Sequence, residues 1–388
     1  MSVARKICVI TGSRAEYGLL RWVLHDLAAA PDVELQVVAT GMHLSRAFGM
    51  TVDEIERDGF QVARRVDMLL ASDTPVGTAK SIGLGVIGMA DALDGLRPDL
   101  VLVLGDRFEI LAAVQACLVL RIPVAHIAGG DTTEGAFDES IRHAITKMSH
   151  LHLVTNEQAA GRVRQMGEDP ARVRVVGSPG LDQLQREPLL DRAALEASLG
   201  ARLAARNLLV TFHPVTLSAT DSLTEFQALL DALDEFGDDT AIWITHPNAD
   251  TGGVALTQAL QAWAQARPGR VHDFKSLGHK RYLSLMALSD VVVGNSSSGL
   301  YEAPSLRVPT VDIGDRQRGR LAADSVLNCA PSREAIGAAI RRALELDCSA
   351  TRNPYGDGHS AARIVQALRT LPITPALLQK SFHGEGLS

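Results

Sequence analysis

The chain has only four cysteines in 388 residues, Cys8, Cys117, Cys329 and Cys348, too few and too widely spaced for a disulfide framework or a zinc site. A reducing cytoplasm is the expected setting, with no metal. Long hydrophobic runs are missing too: none approaches the ~18 residues that would span a membrane. The N-terminal stretch "MSVARKICVITGS" has a basic start, but its apolar run of about five residues is too short for a secretory leader and suits a first buried strand. There is no basic cluster and the formal net charge is −7, so nucleic acid is not an expected partner. Internal repeats and low-complexity segments are likewise lacking. What remains, 46% hydrophobic and 21% charged residues, is the composition of a soluble globular protein. A chain of 388 residues exceeds one ordinary core and suits two domains of roughly 150 to 200 residues.

Two patterns alternate along the first half. Continuous β-branched runs occur at "KICVITG", "LQVVATG", "LVLVLGD", "VAHIAGG" and "LHLVTN", while "GLLRWVLHDLAAA" sets Leu20, Val23, Leu24 and Leu27 at helical spacing. Strands apolar on both faces, alternating with helices, predict a parallel sheet covered on both sides. A second series starts near Asn207 with "LLVTF", "AIWIT", "RVHDF", "VVVGN" and "PTVDI". The expected fold is therefore α/β, with two Rossmann-like domains facing a cleft. The segment "VGSPGLDQLQREPLLDR" is the expected hinge. Residues 1–183 would form the first domain and 184–359 the second, with a helix in 360–388 packing back on the first.

In open parallel sheets, ligands bind beyond the carboxyl ends of the strands, so the residues just after each apolar run carry the information. "GNSSSGLYEAPS" runs from a strand through small residues into a helix, leaving free N–H groups for a phosphate near Ser296 and Ser297. An ordinary Asn/Ser helix cap explains the same residues. Glu302 is placed either for a sugar hydroxyl or for compensating the helix dipole. "TGSRAEYGLL" has the same strand-to-helix form but lacks the spaced glycines of a dinucleotide fingerprint. Arg14 there is either a diphosphate fork or a surface ion pair. Carboxylates form a second theme: Asp106 follows "LVLVLG", and "GGDTTEGAFDESIRHAI" holds Asp131, Glu134, Asp138 and Glu139. Such convergence suits general acid/base chemistry, and the same cluster has the chemistry of a Mg²⁺ site. Asp138 is also a natural helix cap. Two strands end in His-Pro, at His213 and His246; a residue before proline stays extended, which projects each imidazole past the sheet toward a hydrogen-bonding or cationic role, for His213 above all.

"TGSRAEYGLL", "ATGMHLS", "LVLGDRFE", "GGDTTEGAFDESIRHAITKMSHLH", "VGSPGLD", "TFHPVT", "THPNAD", "GNSSSGLYEAPS" and "DIGDRQRGR", in this order and across nearly the whole chain, resemble the hydrolysing UDP-N-acetylglucosamine 2-epimerases of sialic-acid-type sugar biosynthesis. That resemblance implies a glycosyltransferase-B-like fold with the UDP-sugar in an interdomain cleft, no added cofactor, and assembly as a homodimer or homotetramer. It also implies a two-stage reaction in which UDP is eliminated across C1 and C2 to give a glycal and water then adds to release the free manno-configured sugar. Carried onto this chain, Arg14, His213, Ser296, Ser297, Glu302 and Arg316 would hold the nucleotide, with Arg107 nearby and His246 on the same strand ends. Asp106 and Asp138 would be catalytic carboxylates, and His213 would stabilise the departing charge.

One departure stands out. Where many related epimerases carry Glu at the third position of the stretch matching "HIAGG", this chain has Ala128. Either Asp131 or Glu134 then supplies the missing acid/base, or the chemistry is arranged differently. The smaller side chain also makes room for a substituent on the sugar, which points to a UDP-2,4-diacetamido-2,4,6-trideoxy sugar on the way to legionaminic acid. Two other classes share many of these features. A nucleotide-sugar glycosyltransferase would need an acceptor groove more than a carboxylate cluster, and a non-catalytic sugar-nucleotide sensor would bind UDP without turnover.

Overall fold

Five apolar residues in succession, as in Leu100–Leu104, have no solvent face to offer, so such strands must lie inside a sheet covered on both sides. The computed structural model, which describes residues 4–72, 74–132, 137–214, 221–246 and 253–384, shows two such sheets. They belong to two units, Met1–Gln183 with Tyr355–Ser388, and Leu184–Pro354.

The first unit holds β1 (Arg5–Thr11), β2 (Val33–Thr40), β3 (Val62–Val66), β4 (Leu100–Leu104), β5 (Val124–Ile127), β6 (Leu151–Val154) and β7 (Val173–Val175), all parallel, in the order β3-β2-β1-β4-β5-β6-β7. Alternate strand residues feed opposite cores. Ile7, Val9 and Leu102 pack with Leu20, Leu24 and Leu27 of α1 (Arg14–Ala29), whereas Cys8, Ile10 and Val101 face the other side. There they meet Met89 and Leu93 of α3 (Pro75–Leu96), Ile110 and Val114 of α4 (Phe108–Leu120) and Ile145 of α5 (Asp138–Met148); a short α2 (Val52–Arg57) follows β2. The returning helix Ser360–Thr370 adds Ala361, Ile364 and Leu368 to the first of these cores. Its N-terminus is fixed by the fully buried Asp182, whose carboxylate accepts from the amides of Ser360 (2.8 Å) and Ala361 (2.7 Å), a strong arrangement at the positive end of a helix.

The second unit holds β8 (Arg206–Thr211), β9 (Thr240–Thr245), β10 (Val271–Phe274), β11 (Val291–Gly294), β12 (Thr310–Ile313) and β13 (Val326–Cys329), again parallel, in the order β10-β9-β8-β11-β12-β13. The α/β class with two Rossmann-like units, that of glycosyltransferase-B-like folds, is thus the observed one. β3, β7 and β13 escape the apolar-run pattern because they lie at sheet edges, where Arg64, Arg65, Arg174 and Asn328 are exposed.

Among the described helices, α3 is long and apolar enough to cross a membrane by length and composition, although no continuous apolar run announces it. Its isoleucines, valines, leucines, alanines and methionine raise the average hydropathy while Lys80, Asp91 and Asp94 interrupt the run. Met89, Ala92 and Leu93 are buried against the sheet of the first unit.

Each sheet has one topological switch point. In the first unit the chain runs outward from β1 through β2 to β3, then resumes on the other side of β1 at β4; in the second the same reversal separates β8 from β11. The crevice at the carboxyl ends of such a strand pair is where open α/β sheets receive ligands.

Candidate active site

At the first switch point, β1 ends at Thr11 and Gly12 while β4 ends at Gly105, whose positive φ of 79° turns the chain sharply into Asp106 and Arg107. His126 of β5 supports that corner: its Nε2 lies 2.7 Å from the Gly105 carbonyl, and burial keeps it neutral, with its pKa lowered to about 3. His126 is thus a structural residue. So is His43, buried between the hydroxyls of Thr11 (3.0 Å) and Thr51 (2.8 Å).

Asp106 is not alone. Its Oδ2 accepts from Nη2 of Arg142, a side chain only 4% exposed. The other branch of that guanidinium reaches Glu139 Oε2 at 2.6 Å and the Asp131 carbonyl at 2.7 Å. Asp138 lies four residues before Arg142 on α5, hence on the same face of the helix. Its carboxyl is held above the usual carboxylate range, by burial first and by the charge of Asp106 second, against the pull of Arg107 and Arg142. Asp138 opens the helix at its first position rather than capping it, since Phe137 occupies the cap. Asp131 accepts a 2.6 Å hydrogen bond from the Thr155 hydroxyl at the end of β6. The structure therefore brings Asp106 and the Asp131 carbonyl onto Arg142, with Asp138 near enough to feel the charges of Asp106, Arg107 and Arg142; the sequence reading overlooked Arg142 although its i, i+4 spacing from Asp138 was visible. Glu134 lies outside the described residues. Arg14 stands apart: its side chain is 73% exposed and pairs with Glu54 at 3.1 Å, the surface ion pair of the alternative reading.

Behind Arg107 lies a second pair of carboxyl groups. Glu109, fully buried, accepts from Arg107 Nε at 3.2 Å and Nη2 at 3.0 Å. Glu16 accepts from the Gly12 amide at 2.7 Å through one oxygen, while the other is buried without a hydrogen-bond partner. Burial pushes the Glu16 carboxyl up to about 8, against the Gly12 hydrogen bond and with the charge of Glu109 adding to the rise. Because the folded value lies above the ordinary 4.5, this group favours folding most below pH 4.5, and its contribution is lost progressively as pH rises toward about 8. Glu16→Gln, which removes the titration, should therefore gain stability relative to the parent protein between pH 5 and 8. Urea midpoints measured across that range check it, and a difference that does not vary with pH would refute it.

At the second switch point, Gly294 is forced by space: at φ 138° an added Cβ would sit 1.9 Å from the Thr211 carbonyl. The next residue, buried Asn295, clamps His213 from both sides, its Oδ1 accepting from the His213 amide (2.8 Å) and its Nδ2 donating to the His213 carbonyl (2.8 Å). The "DIGDRQRGR" loop closes on the same residue, with Arg316 Nη1 (3.0 Å) and Gln317 Nε2 (2.7 Å) donating to the Asn295 carbonyl. A chain of hydroxyls runs from Ser296 through Ser298 (3.0 Å) and Tyr282 (2.8 Å) to Thr211 (3.3 Å). The helix after Ser297 is shorter than the sequence suggests, four residues at Ser298–Tyr301 before a 3₁₀ turn. Its dipole is correspondingly small, so polar side chains and loop amides carry the anion-binding character. Glu302 has a buried, unpartnered Oε2, and burial pushes its carboxyl up to about 8. His246 is engaged with Asp273 at 2.8 Å. This half therefore brings His213, Ser296, Ser297, Glu302 and Arg316 onto neighbouring loops, each placed by Asn295 or the strands beside it. Among the described residues, no three His, Cys, Asp or Glu side chains form a set that would hold a metal ion.

Comparison with known proteins identifies the family. Residues 25–369 match the family described as UDP-N-acetylglucosamine 2-epimerase. The chain is 40% identical over 324 residues to the GDP/UDP-N,N'-diacetylbacillosamine 2-epimerase (hydrolyzing) of Campylobacter jejuni, covering 84% of each protein. It is 36% identical over 376 residues to the UDP-N,N'-diacetylbacillosamine 2-epimerase (hydrolyzing) of Legionella pneumophila, covering 97% of this chain and 98% of that protein. In structure it is similar to the UDP-GlcNAc 2-epimerase from Neisseria meningitidis bound to UDP-GlcNAc, with a TM-score of 0.77 at 19% identity, over 94% of this chain and all (100%) of that one.

Proposed function

The chain belongs to the UDP-N-acetylglucosamine 2-epimerase family and is a hydrolysing 2-epimerase of sugar biosynthesis; on that premise we propose that its substrate is UDP-2,4-diacetamido-2,4,6-trideoxyglucose, released as UDP and the free manno-configured sugar. The observation that carries the chemistry is the carboxyl pair Asp106, after β4 and bonded to buried Arg142, and Asp138, at the start of α5 and close enough to feel the charge of both. Elimination needs a base to take the proton at C2 while the C1–O bond breaks and UDP leaves with the electron pair. Hydration then needs an acid to return a proton to C2 from the opposite face as water oxygen bonds to C1. Two carboxyls in different environments serve both halves. Asp138, whose carboxyl is held above the ordinary range, suits the returning step, and Asp106, beside the Arg142 guanidinium, the abstracting one. The nucleotide belongs with the second unit, where His213, Ser296, Ser297 and Arg316 supply donors for a diphosphate and Glu302 a partner for a sugar hydroxyl. His213 would meet the charge that develops on the leaving phosphate.

The choice of a 4-acetamido sugar rests on the two relatives named above and on Ala128. This residue sits at φ 63°, directly after β5, where a methyl group leaves open the volume that a longer side chain would fill. The reading includes a homodimer or homotetramer. Exposed Val76 and Ile87 on α3 and Leu118 and Val119 on α4 support it, since apolar side chains of neighbouring helices form a face that association would cover.

Proton NMR of the protein in deuterated water, with this compound and separately with UDP-N-acetylglucosamine, tests the proposal. The expected result is free manno-configured sugar carrying deuterium at C2 from the 4-acetamido compound. Rapid turnover of UDP-N-acetylglucosamine alone would overturn the substrate, and no turnover of either by protein that binds UDP would overturn the chemistry.

A further inference from the structure

We propose that Glu109 is a positioning residue for this reaction, a fixed clamp that aims the outer edge of the Arg107 guanidinium at an anionic or carbonyl oxygen of the substrate beside Asp106 and Asp138. The inference rests on the functional reading above and adds to it the device that orients one of its cations.

Residues two apart on a helix do not face each other, yet Arg107 and Glu109 make a two-pronged contact. Arg107 is not helical: it caps α4 with an extended backbone (φ −76°, ψ 150°), so its side chain can turn back along the first turn. Both Glu109 oxygens are then engaged by Nε and Nη2, which leaves the Nη1 side of the fork for another partner. One face of the guanidinium lies 5.7 Å from the Phe108 ring centroid. The far side of Arg107 is partly open and feels the charge of Asp138.

Space is kept for the clamp by two glycines at neighbouring strand ends. A Cβ on Gly41 would fall 2.7 Å from Glu109 Cγ and 2.9 Å from its Oε1, and one on Gly12 would fall 3.1 Å from Glu109 Cβ. A second carboxyl, that of Glu16, shares this buried corner. Burial pushes it up to about 8, so near neutral pH it carries a proton and leaves Arg107 to Glu109. The corner thus holds one cation against one anion. A preset fork needs no reorganisation when charge develops on the substrate, whereas a free arginine would have to be ordered at that moment. Glu109 itself is fully buried and touches no substrate.

The test is a double-mutant cycle on the full-length protein, using Glu109→Gln, Arg107→Met and the pair, assayed with whichever UDP-sugar the parent protein turns over. Glu109→Gln keeps the shape and removes the charge. It should lower kcat/KM by about 10- to 100-fold, yet change it less than about threefold when Arg107 is already Met. Equal losses in both backgrounds, or a loss under threefold in the parent, would overturn the inference, because a merely structural Glu109 costs the same with or without Arg107. A second measurement does not depend on turnover. In protein labelled with ¹⁵N-arginine, the Arg107 Nε–H resonance, assigned by its loss in Arg107→Met, should be slow to exchange in the parent and broaden or vanish in Glu109→Gln. If it is unchanged, the clamp does not exist. A parent protein that turns over neither sugar while showing the protected resonance would instead count against the functional reading and leave the clamp standing.

Discussion

Asp138→Asn should lower kcat by about 10²- to 10⁴-fold, the range expected for the loss of a group that transfers a proton in the transition state. The substitution keeps the shape and the helical position and removes only the titration. Asp138 is half-buried at the first position of α5, with its carboxyl held above the ordinary range by burial and by Asp106. The residues proposed to hold the nucleotide lie on the other unit, so UDP affinity measured by calorimetry should stay within a few-fold of the parent. If kcat falls less than tenfold, Asp138 is not the acid or base. Equal losses in kcat and UDP affinity would mean that it shapes the site instead. A kinetic isotope effect on C2 deuterium should grow in the variant if proton transfer becomes more limiting.

Arg142→Met should be the most damaging single change in the first unit. Arg142 is almost wholly buried and bonds Asp106, Glu139 and the Asp131 carbonyl, so the replacement leaves two carboxylates without the cation between them. Breaking a buried pair in this way costs about 3–5 kcal/mol, a large part of the stability of an ordinary domain. Activity should fall further than stability explains, because Asp106 loses the partner that orients it. Arg142→Lys should recover part of the stability and little of the activity, since an ammonium on a flexible stem cannot make the same planar contacts to several oxygens. Urea unfolding, with kcat measured on the folded variants, checks these statements. An unfolding midpoint equal to the parent's in Arg142→Met would mean that this buried pairing does not hold the first unit together.

The parallel sheets were legible because their central strands are continuous apolar runs, such as "LVLVL" of β4, with helical spacing between them. The edge strands β3, β7 and β13 were not, because an edge exposes part of its surface and a short run with exposed Arg64, Arg65 or Arg174 resembles a loop. The same rule singled out polar residues directly after an apolar run, and Asp106, His213 and Asn295 among them fall at the carboxyl ends where the sheet order reverses. Arg14 is oriented differently. It also follows a strand, but helix α1 turns it outward to Glu54.

By itself, the order of residues determined which segments are the central strands, where helical periodicity falls between them, and which side chains stand at those strand ends, because period and composition act within a few residues. Partnership was decided only by the tertiary structure. Asp106 and Arg142 are 36 positions apart and meet because β4 and β5 are neighbours and α5 follows β5. His213 and Asn295 are 82 positions apart and meet because β8 pairs with β11. Glu16 and Glu109 share one corner because β1 lies beside β4. The raised proton affinity of Glu16 follows from burial first and from that proximity; burial reflects everything packed around a group, while a sequence pattern records only what lies next to it along the chain.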